Sequence, residues 1–220
     1  MTGLPVDPTL DEVREYLAPL LPGQAAFDGW NRAALRNAAA EAGLDAAMVE
    51  LAFPGGAMDM IDAWFAWIDR EMEGKYPPET LAPMKVRERI TALIEARLML
   101  LAPEREALRR AQAIMALPQN LVAATQLGWR AADQMWRLAG DVATDFNHYS
   151  KRATLAAVYA ATLLIFLGDE SEGWIETRGF LSRRIDGIIR FERTKQQWRA
   201  NSERRPSLAR FIGRLRYPAI

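Results

Sequence analysis

The chain contains no cysteine and a single histidine, His148, among its 220 residues. The lack of cysteine excludes disulfides, thiolate nucleophiles and cysteine-rich metal sites. Helical di-iron and zinc hydrolase sites usually take two or more histidines at helical spacing, so one histidine argues against a histidine-rich metalloenzyme. With no cofactor motif either, the sequence predicts a protein that is not an enzyme and holds no cofactor.

The sequence also lacks an apolar run of membrane-spanning length. Its longest such run, Ala153 to Leu167, has fifteen residues and is bounded by Arg152 and Asp169. A span needs about 20 residues. We therefore expect a buried helix in a soluble or peripheral protein. The opening "MTGLPVDPTLDEV" has no basic region followed by an apolar stretch, and we expect no signal peptide.

The formal net charge is zero, with 28 basic and 28 acidic residues, but the two signs are segregated. The segment from Arg178 to Ile220 carries 12 basic and 3 acidic residues, whereas the preceding part carries 16 and 25. This asymmetry predicts that the C-terminal segment meets an acidic partner, either anionic lipid or nucleic acid.

Strand-like alternation is scarce, and the prolines fall near the ends of helical stretches, so the sequence predicts an all-α protein. We expect about ten helices, over residues 9–20, 30–42, 45–53, 57–73, 81–101, 103–117, 119–139, 145–167, 173–199 and 207–216. The predicted regions are an N-terminal one (1–75), a helical bundle (76–200), and a linker with a short amphipathic helix (201–220).

A helix, a Gly-Leu-Asp turn, a short helix and a Pro-Gly-Gly break succeed one another between Phe27 and Asp69. This layout resembles the helix-turn-helix of tetracycline repressors. DNA binding requires basic or amide side chains on the second helix, yet "DAAMVELAF" carries Asp45 and Glu50 and no basic residue. We expect a degenerate helix-turn-helix that serves as scaffold and binds no nucleic acid.

One apolar stripe runs along the predicted helix 145–167, with members at i, i+3, i+4, i+7, i+8 and i+11. The stripe consists of Leu155, Val158, Tyr159, Thr162, Leu163 and Phe166. Such a stripe is typical of ordinary core, but it also suits the wall of a cavity for an apolar ligand. The many small residues nearby permit either a void or tight helix packing.

The stretch "MWRLAGDVATDFNHYSKRATLAAVYAATLLIFLGD", followed by "TRGFLSRRI", resembles the Coq-nine family, the lipid-binding accessory proteins of ubiquinone biosynthesis. The resemblance implies a tetracycline-repressor-like fold that has lost DNA binding and encloses an isoprenoid quinone or a phospholipid. It assigns the six stripe residues to lipid binding. It further implies that the protein presents a quinone intermediate to the demethoxyubiquinone hydroxylase, a di-iron enzyme at the membrane.

The resemblance places a hydroxylase-binding patch on one set of residues in this sequence. The patch comprises Asp133, Met135, His148 and Tyr149, with Asp145, Phe146 and Asn147 in the adjoining motif. His148 stands where animal members of the family carry tryptophan. We expect an exposed cluster of methionine and aromatic side chains, since large apolar groups gain most when a partner desolvates them.

The segment "SLARFIGRLR" predicts a short amphipathic helix with apolar and basic faces. Its proposed contact residues are Leu208, Arg210, Phe211, Ile212, Arg214 and Leu215. Such a helix suits a membrane interface with anionic lipid, although docking on the protein body fits the same pattern. The resemblance favours the membrane.

The resemblance and the sequence together lead to two further expectations. We expect a homodimer that pairs through the helix Ser171 to Arg199, acting in the cytoplasm of a bacterium against the inner membrane. The competing hypothesis is a ligand-responsive transcriptional regulator of the tetracycline-repressor type, with the same cavity but a working DNA-binding surface.

Overall fold

The computed structural model describes residues 4–142 and 146–202. Within these ranges the ordered elements are all helices, and the predicted all-α class is confirmed. The α-helices are α1 (Leu10–Leu17), α2 (Leu21–Asp28), α3 (Arg32–Ala42), α4 (Ala46–Ala52), α5 (Ala57–Lys75), α6 (Pro78–Leu81), α7 (Val86–Leu101), α8 (Arg105–Met115), α9 (Leu121–Leu138), α10 (Phe146–Gly168) and α11 (Ile175–Ser202). Short 3-10 turns precede α8, α9 and α11.

Helix α2 was missed by the sequence reading, which left residues 21–29 outside any helix. Pro22 lies in the first turn of α2, where its missing N–H leaves no bond unmade. Helix α11 extends to Ser202, three residues past the predicted end at residue 199, and the linker predicted up to Pro206 lies mostly outside the described residues. The predicted helix 207–216 lies outside the described residues.

The helix-turn-helix layout is present as predicted. Helix α3 ends at Gly43, whose φ of 68° is in the left-handed region that glycine adopts without strain. The Asp45 side chain then accepts a hydrogen bond from the Ala47 N–H and caps α4. Helix α4 packs against α1 and α3, and Glu50 on α4 forms an ion pair with Arg36 on α3 at 2.7 Å.

Helices α5 and α7 to α11 form the bundle, in which α10 packs between α9 and α11 while α5 contacts α7 and α9. One continuous cluster of buried apolar residues connects this bundle to the N-terminal helices. The predicted division at residues 75 and 200 stays a prediction.

Helix α10 agrees with the predicted helix 145–167, in which the polar turns before Ala153 and the apolar run form one helix. Asn147–Gly168 is long and apolar enough to cross a membrane by length and composition, with mean hydropathy 1.3, although a core helix passes the same test. Only 33% of the most apolar window is buried. The expectation of a buried helix is right for one face and wrong for the other, where Ala153, Ala157 and Leu164 are exposed.

Candidate functional site

An apolar cavity of about 200 Å³ lies among α5, α7, α8, α9 and α10. Small or apolar side chains form most of its wall. The lining residues are Phe65, Arg97, Gln112, Met115, Ala116, Ala124, Leu127, Gly128, Ala131, Ala156, Tyr159, Ala160 and Leu163. The small residues of α9 and α10 therefore leave a void here. A Cβ added to Gly128 would meet the Ala156 Cβ at 4.0 Å, an ordinary van der Waals contact, so α9 and α10 are close together at this edge of the cavity.

Two of the six stripe residues of α10, Tyr159 and Leu163, line the cavity. The remaining four stripe residues, Leu155, Val158, Thr162 and Phe166, do not line it. Leu155, Thr162 and Phe166 are fully buried core residues, and Val158 is partly buried. On α10 the cavity is also lined by Ala156 and Ala160, which lie beside the stripe and were not among the predicted ligand-binding residues.

The packing around two of these residues explains why they face away from the cavity. The Thr162 hydroxyl donates a hydrogen bond to the Val158 carbonyl at 2.7 Å and so satisfies itself within α10. The Phe166 ring meets Trp174 edge to face, with the centroids 5.2 Å apart, and carries the Arg105 guanidinium 5.0 Å from its centroid. These residues fix α10 against α11 and α8.

A buried polar pair interrupts the apolar wall. Arg97 on α7 is 1% exposed, and its Nε donates a hydrogen bond to the Tyr159 Oη at 2.9 Å. Its Nη1 donates to Asp69 on α5, which is also buried. The second Asp69 oxygen accepts from the Arg130 Nε at 3.1 Å, and Arg130 reaches Asp62 as well. The guanidinium of Arg97 is therefore matched by a buried carboxylate.

The protonation states of this pair follow from their surroundings. Burial alone lowers the pKa of Arg97, but Tyr159 and Asp69 outweigh it and raise the pKa above its usual range. Burial raises the pKa of Tyr159, and Arg97 only partly opposes that shift. At neutral pH the pair is thus a charged guanidinium beside a protonated phenol, whose hydrogen has no acceptor among the described residues.

A second buried arginine, Arg152, anchors the start of α10. Its Nε donates to Asp133 on α9 at 2.5 Å, while its Nη1 donates to Asp141 at 3.0 Å and to the His148 carbonyl at 3.1 Å. Lys151 also donates to Asp141, at 2.7 Å. Burial raises the pKa of Asp141, but the hydrogen bonds from Lys151 and Arg152 outweigh it and lower the pKa below its usual value. Asp133 and Asp141 are thus both held in ion pairs with Arg152.

The expected exposed methionine is wrong, because Met135 is 0% exposed. It lies four residues after Ala131 on the face of α9 that points into the core. Tyr149, by contrast, is 61% exposed. Its ring lies 5.1 Å from His148 and 6.1 Å from Trp129, centroid to centroid. Trp129 supplies the large apolar group that Met135 does not.

The remaining predicted patch and membrane residues are only partly described. Asn147 and His148 are partly buried in the first turn of α10. Phe146 is the first residue of α10, and Asp145 lies outside the described residues. The predicted membrane-contact residues also lie outside them, namely Leu208, Arg210, Phe211, Ile212, Arg214 and Leu215. Within residues 4–142 and 146–202 no group of three His, Cys, Asp or Glu side chains is placed to hold a metal ion.

Fold and site together define a tetracycline-repressor-like helical protein with an apolar cavity in its bundle. A solved structure described as the TetR transcriptional regulator from Nitrosomonas europaea ATCC 19718 matches with a TM-score of 0.63 and 24% identity. The match covers 79% of this chain and 96% of that one. This likeness shows the fold alone.

Residues 121–192 match the COQ9 family model. The chain is 30% identical over 181 residues to the rat protein "Ubiquinone biosynthesis protein COQ9, mitochondrial", covering 80% of this chain. It is 37% identical over 110 residues to the human protein of the same name, covering 50% of this chain. The matches span 58% of the rat protein and 35% of the human one. Through this region the chain is similar to proteins of the COQ9 family, and it spans little more than half the length of the rat protein.

Proposed function

We propose that this protein is a non-enzymatic accessory protein of ubiquinone biosynthesis. It binds an isoprenoid quinone intermediate in the cavity and presents it at the membrane to the demethoxyubiquinone hydroxylase. One observation carries the proposal: the apolar cavity draws its α9 and α10 walls, from Ala124 to Leu163, out of the segment that matches the COQ9 model. The family resemblance and the space for a ligand therefore coincide in one part of the molecule.

The cavity suits one ring of a ligand and not a whole isoprenoid chain. A dry cavity of about 150 Å³ is enough to hold a benzene ring, whereas typical ligand pockets have about 300–1,000 Å³. The tail must therefore leave the cavity along an apolar surface. Leu121 precedes the lining residue Ala124 by one helical turn, and Leu164 follows Ala160 by one turn. Both leucines are more than half exposed, which supports a tail path between the ends of α9 and α10.

The aromatic cluster around the exposed Tyr149 supports the docking part of the proposal. Trp129, His148 and Tyr149 form an aromatic group beside the start of α10, next to the ion pair of Arg152 with Asp133. An aromatic surface held by a rigid ion pair is a suitable centre for a partner interface. We define the docking patch as these three aromatic residues together with Asp133 and Asn147. Met135 then acts from below, as the buried support of α9.

The membrane, the homodimer and the location complete the proposal. The basic, amphipathic segment from Ser207 to Ile220 would contact anionic lipid, and α11 would supply the dimer interface. The protein would then act peripherally on the inner membrane, from the cytoplasm. DNA binding is disfavoured, because α4 carries no basic side chain and Glu50 on it already pairs with Arg36 on α3.

The experiment that tests presentation measures hydroxylation of demethoxyubiquinone in liposomes by the purified hydroxylase, with and without this protein. Gly128→Met would place a flexible apolar side chain in the cavity, and Tyr149→Ala would remove the exposed ring of the docking patch. Matched controls are Gly74→Met, on α5 with nothing within 4 Å of its Cβ position, and Phe27→Ala, an exposed aromatic on α2.

We expect the wild-type protein and both controls to raise the hydroxylation rate, and both test variants to lose most of that gain. Loss in Gly128→Met but not in Tyr149→Ala would contradict the docking assignment. The reverse result would contradict use of the cavity. No rate gain from the wild-type protein would contradict presentation altogether.

A further inference from the structure

The buried pair of Arg97 and Tyr159 has no counterpart elsewhere in the cavity wall. The lining contains three polar side chains, and the third, Gln112 on α8, is partly exposed. Arg97 and Tyr159 are 1% and 4% exposed. The polar character of the cavity is therefore concentrated at one buried place, where α7 faces the middle of α10.

Burying an arginine in an apolar wall is costly, and the fold offsets that cost with a specific set of partners. The Asp69 carboxylate accepts a hydrogen bond from Nη1 of Arg97, and the Tyr159 oxygen accepts one from Nε. The guanidinium also lies 5.0 Å from the Tyr159 ring centroid. Tyr159 is thus held in a fixed position, with its oxygen committed as an acceptor and its hydrogen still available to donate.

The charges next to the pair are matched two to two, because Arg97 and Arg130 face Asp69 and Asp62. Arg14 adds a third cation on the outer side of this network, 3.6 Å from Asp62. An anionic head group entering the cavity would bring an unmatched charge close to the buried Asp69 carboxylate. A neutral oxygen acceptor, in contrast, would need only the one hydrogen that Tyr159 offers.

We infer that Arg97 and Tyr159 form the head-group site of the cavity, where the Tyr159 hydroxyl donates a hydrogen bond to a neutral carbonyl or ether oxygen on the ligand ring. The site selects neutral oxygenated rings over plain hydrocarbons and over anionic lipid head groups. Tyr159 is the donor to the ligand, and Arg97 is a positioning residue that acts through Tyr159. This inference rests on the proposed function, because it assumes that the cavity takes a lipid.

The test uses the full-length, delipidated protein and three probes with the same ten-carbon tail. Decylubiquinone carries ring oxygens, decylbenzene carries none, and decyl phosphate carries an anionic head. Dissociation constants are measured for the wild type, for Tyr159→Phe and for Tyr16→Phe, a tyrosine on α1 that does not line the cavity. The carbonyl stretching band of bound decylubiquinone is recorded for each protein, since a hydrogen bond shifts it to lower frequency.

We expect the Kd of Tyr159→Phe for decylubiquinone to rise about fivefold, the usual effect of one neutral hydrogen bond. Its Kd for decylbenzene should not change, and the carbonyl band should return towards its position in the free quinone. Tyr16→Phe should match the wild type throughout. Decyl phosphate should bind the wild type more weakly than decylubiquinone does.

Equal weakening for decylubiquinone and decylbenzene in Tyr159→Phe would overturn the inference, since it would mark Tyr159 as a packing residue. The inference would also be overturned if Tyr159→Phe bound decylubiquinone as tightly as the wild type and left the carbonyl band at its wild-type position. Lipid binding by the cavity would then still stand. Decyl phosphate binding as tightly as decylubiquinone would overturn the selection for neutral heads. If the wild type binds none of the three probes, the proposed lipid function falls and the inference with it.

Discussion

The two buried arginines of the bundle have similar burial but different partners. Arg152, 2% exposed, contacts two carboxylates and a backbone carbonyl, and so closes its charge within the protein. Arg97, 1% exposed, contacts one carboxylate and the phenol of Tyr159, which borders the cavity. The first arginine fixes the start of α10 to α9. The second leaves the hydroxyl hydrogen of Tyr159, a residue of the cavity wall, without an acceptor among the described residues, and a ligand site needs such a donor whereas a purely structural ion pair does not.

The largest expected effect comes from replacing Arg152, the buried arginine whose role is structural. Arg152→Met should lower the free energy of unfolding by about 3–5 kcal/mol, because it removes the hydrogen bonds of a buried guanidinium to Asp133, Asp141 and the His148 carbonyl, although Arg137 and Lys151 still pair with the two carboxylates. Urea denaturation measures this change. Arg137, the exposed second partner of Asp133, is the matched control, and Arg137→Met should cost less than about 1 kcal/mol. Equal costs would show that burial does not distinguish the two pairs.

Arg97→Met should destabilise the protein less, by about 1.5–3 kcal/mol, the usual worth of a charged hydrogen bond. Asp69 keeps its bond from Arg130, and the methionine side chain can extend into the cavity. The same urea titration measures the effect. A loss equal to or greater than that of Arg152→Met would contradict the view that Arg97 is the less structural of the two.

Tyr159→Phe should cost about 1–3 kcal/mol of unfolding free energy, since it keeps the ring but leaves the buried Arg97 Nε without its acceptor. Tyr16→Phe should be neutral by comparison. Thermal and urea unfolding of both variants measure this difference. Because the expected loss is small, the ligand-binding change of Tyr159→Phe can be measured on a folded protein. A loss above about 3 kcal/mol would instead assign Tyr159 a structural role like that of Arg152.

The smallest expected effect concerns acid stability. The folded pKa of Asp141 lies below its usual 3.8, so its contribution is complete above about pH 4 and is lost as the pH falls further. In Asp141→Asn the free energy of unfolding should fall less steeply with decreasing pH below pH 4 than in the wild type. The two slopes should differ by the uptake of less than one proton, which is less than about 1.4 kcal/mol per pH unit. Urea titrations at pH 5, 4 and 3 measure the slope. An unchanged slope would mean that Asp141 does not favour its charged form in the fold.

Local signals carried the prediction of the fold. Helix α4 and its turn follow from Gly43 and Asp45, whose conformations are set by the immediate chain. Helix α2 was missed because proline and glycine are usual stop signals, and their placement within a first turn depends on the neighbouring helices.

The site was less predictable because it depends on packing between helices. The stripe of α10 follows from its spacing, but only the arrangement of α8 and α9 places the void beside Ala156 and Ala160. Arg97 did leave a signal, since it falls in register with the buried apolar positions Ile90, Leu93, Ile94, Leu98 and Leu101. A charged residue on a buried face calls for a partner, and its partner Tyr159 was already in the predicted stripe. Met135 likewise follows Ala131 by one turn on the core face of α9.

Mass spectrometry of organic extracts from the protein, purified from its native host, tests the central claim most directly. Wild-type protein and the Gly74→Met control should carry a polyprenyl quinone or another neutral isoprenoid, and Gly128→Met should be depleted of it. Repeated absence of any such lipid from folded wild-type protein, or equal loading of Gly128→Met, would contradict the assignment of the cavity as a quinone site.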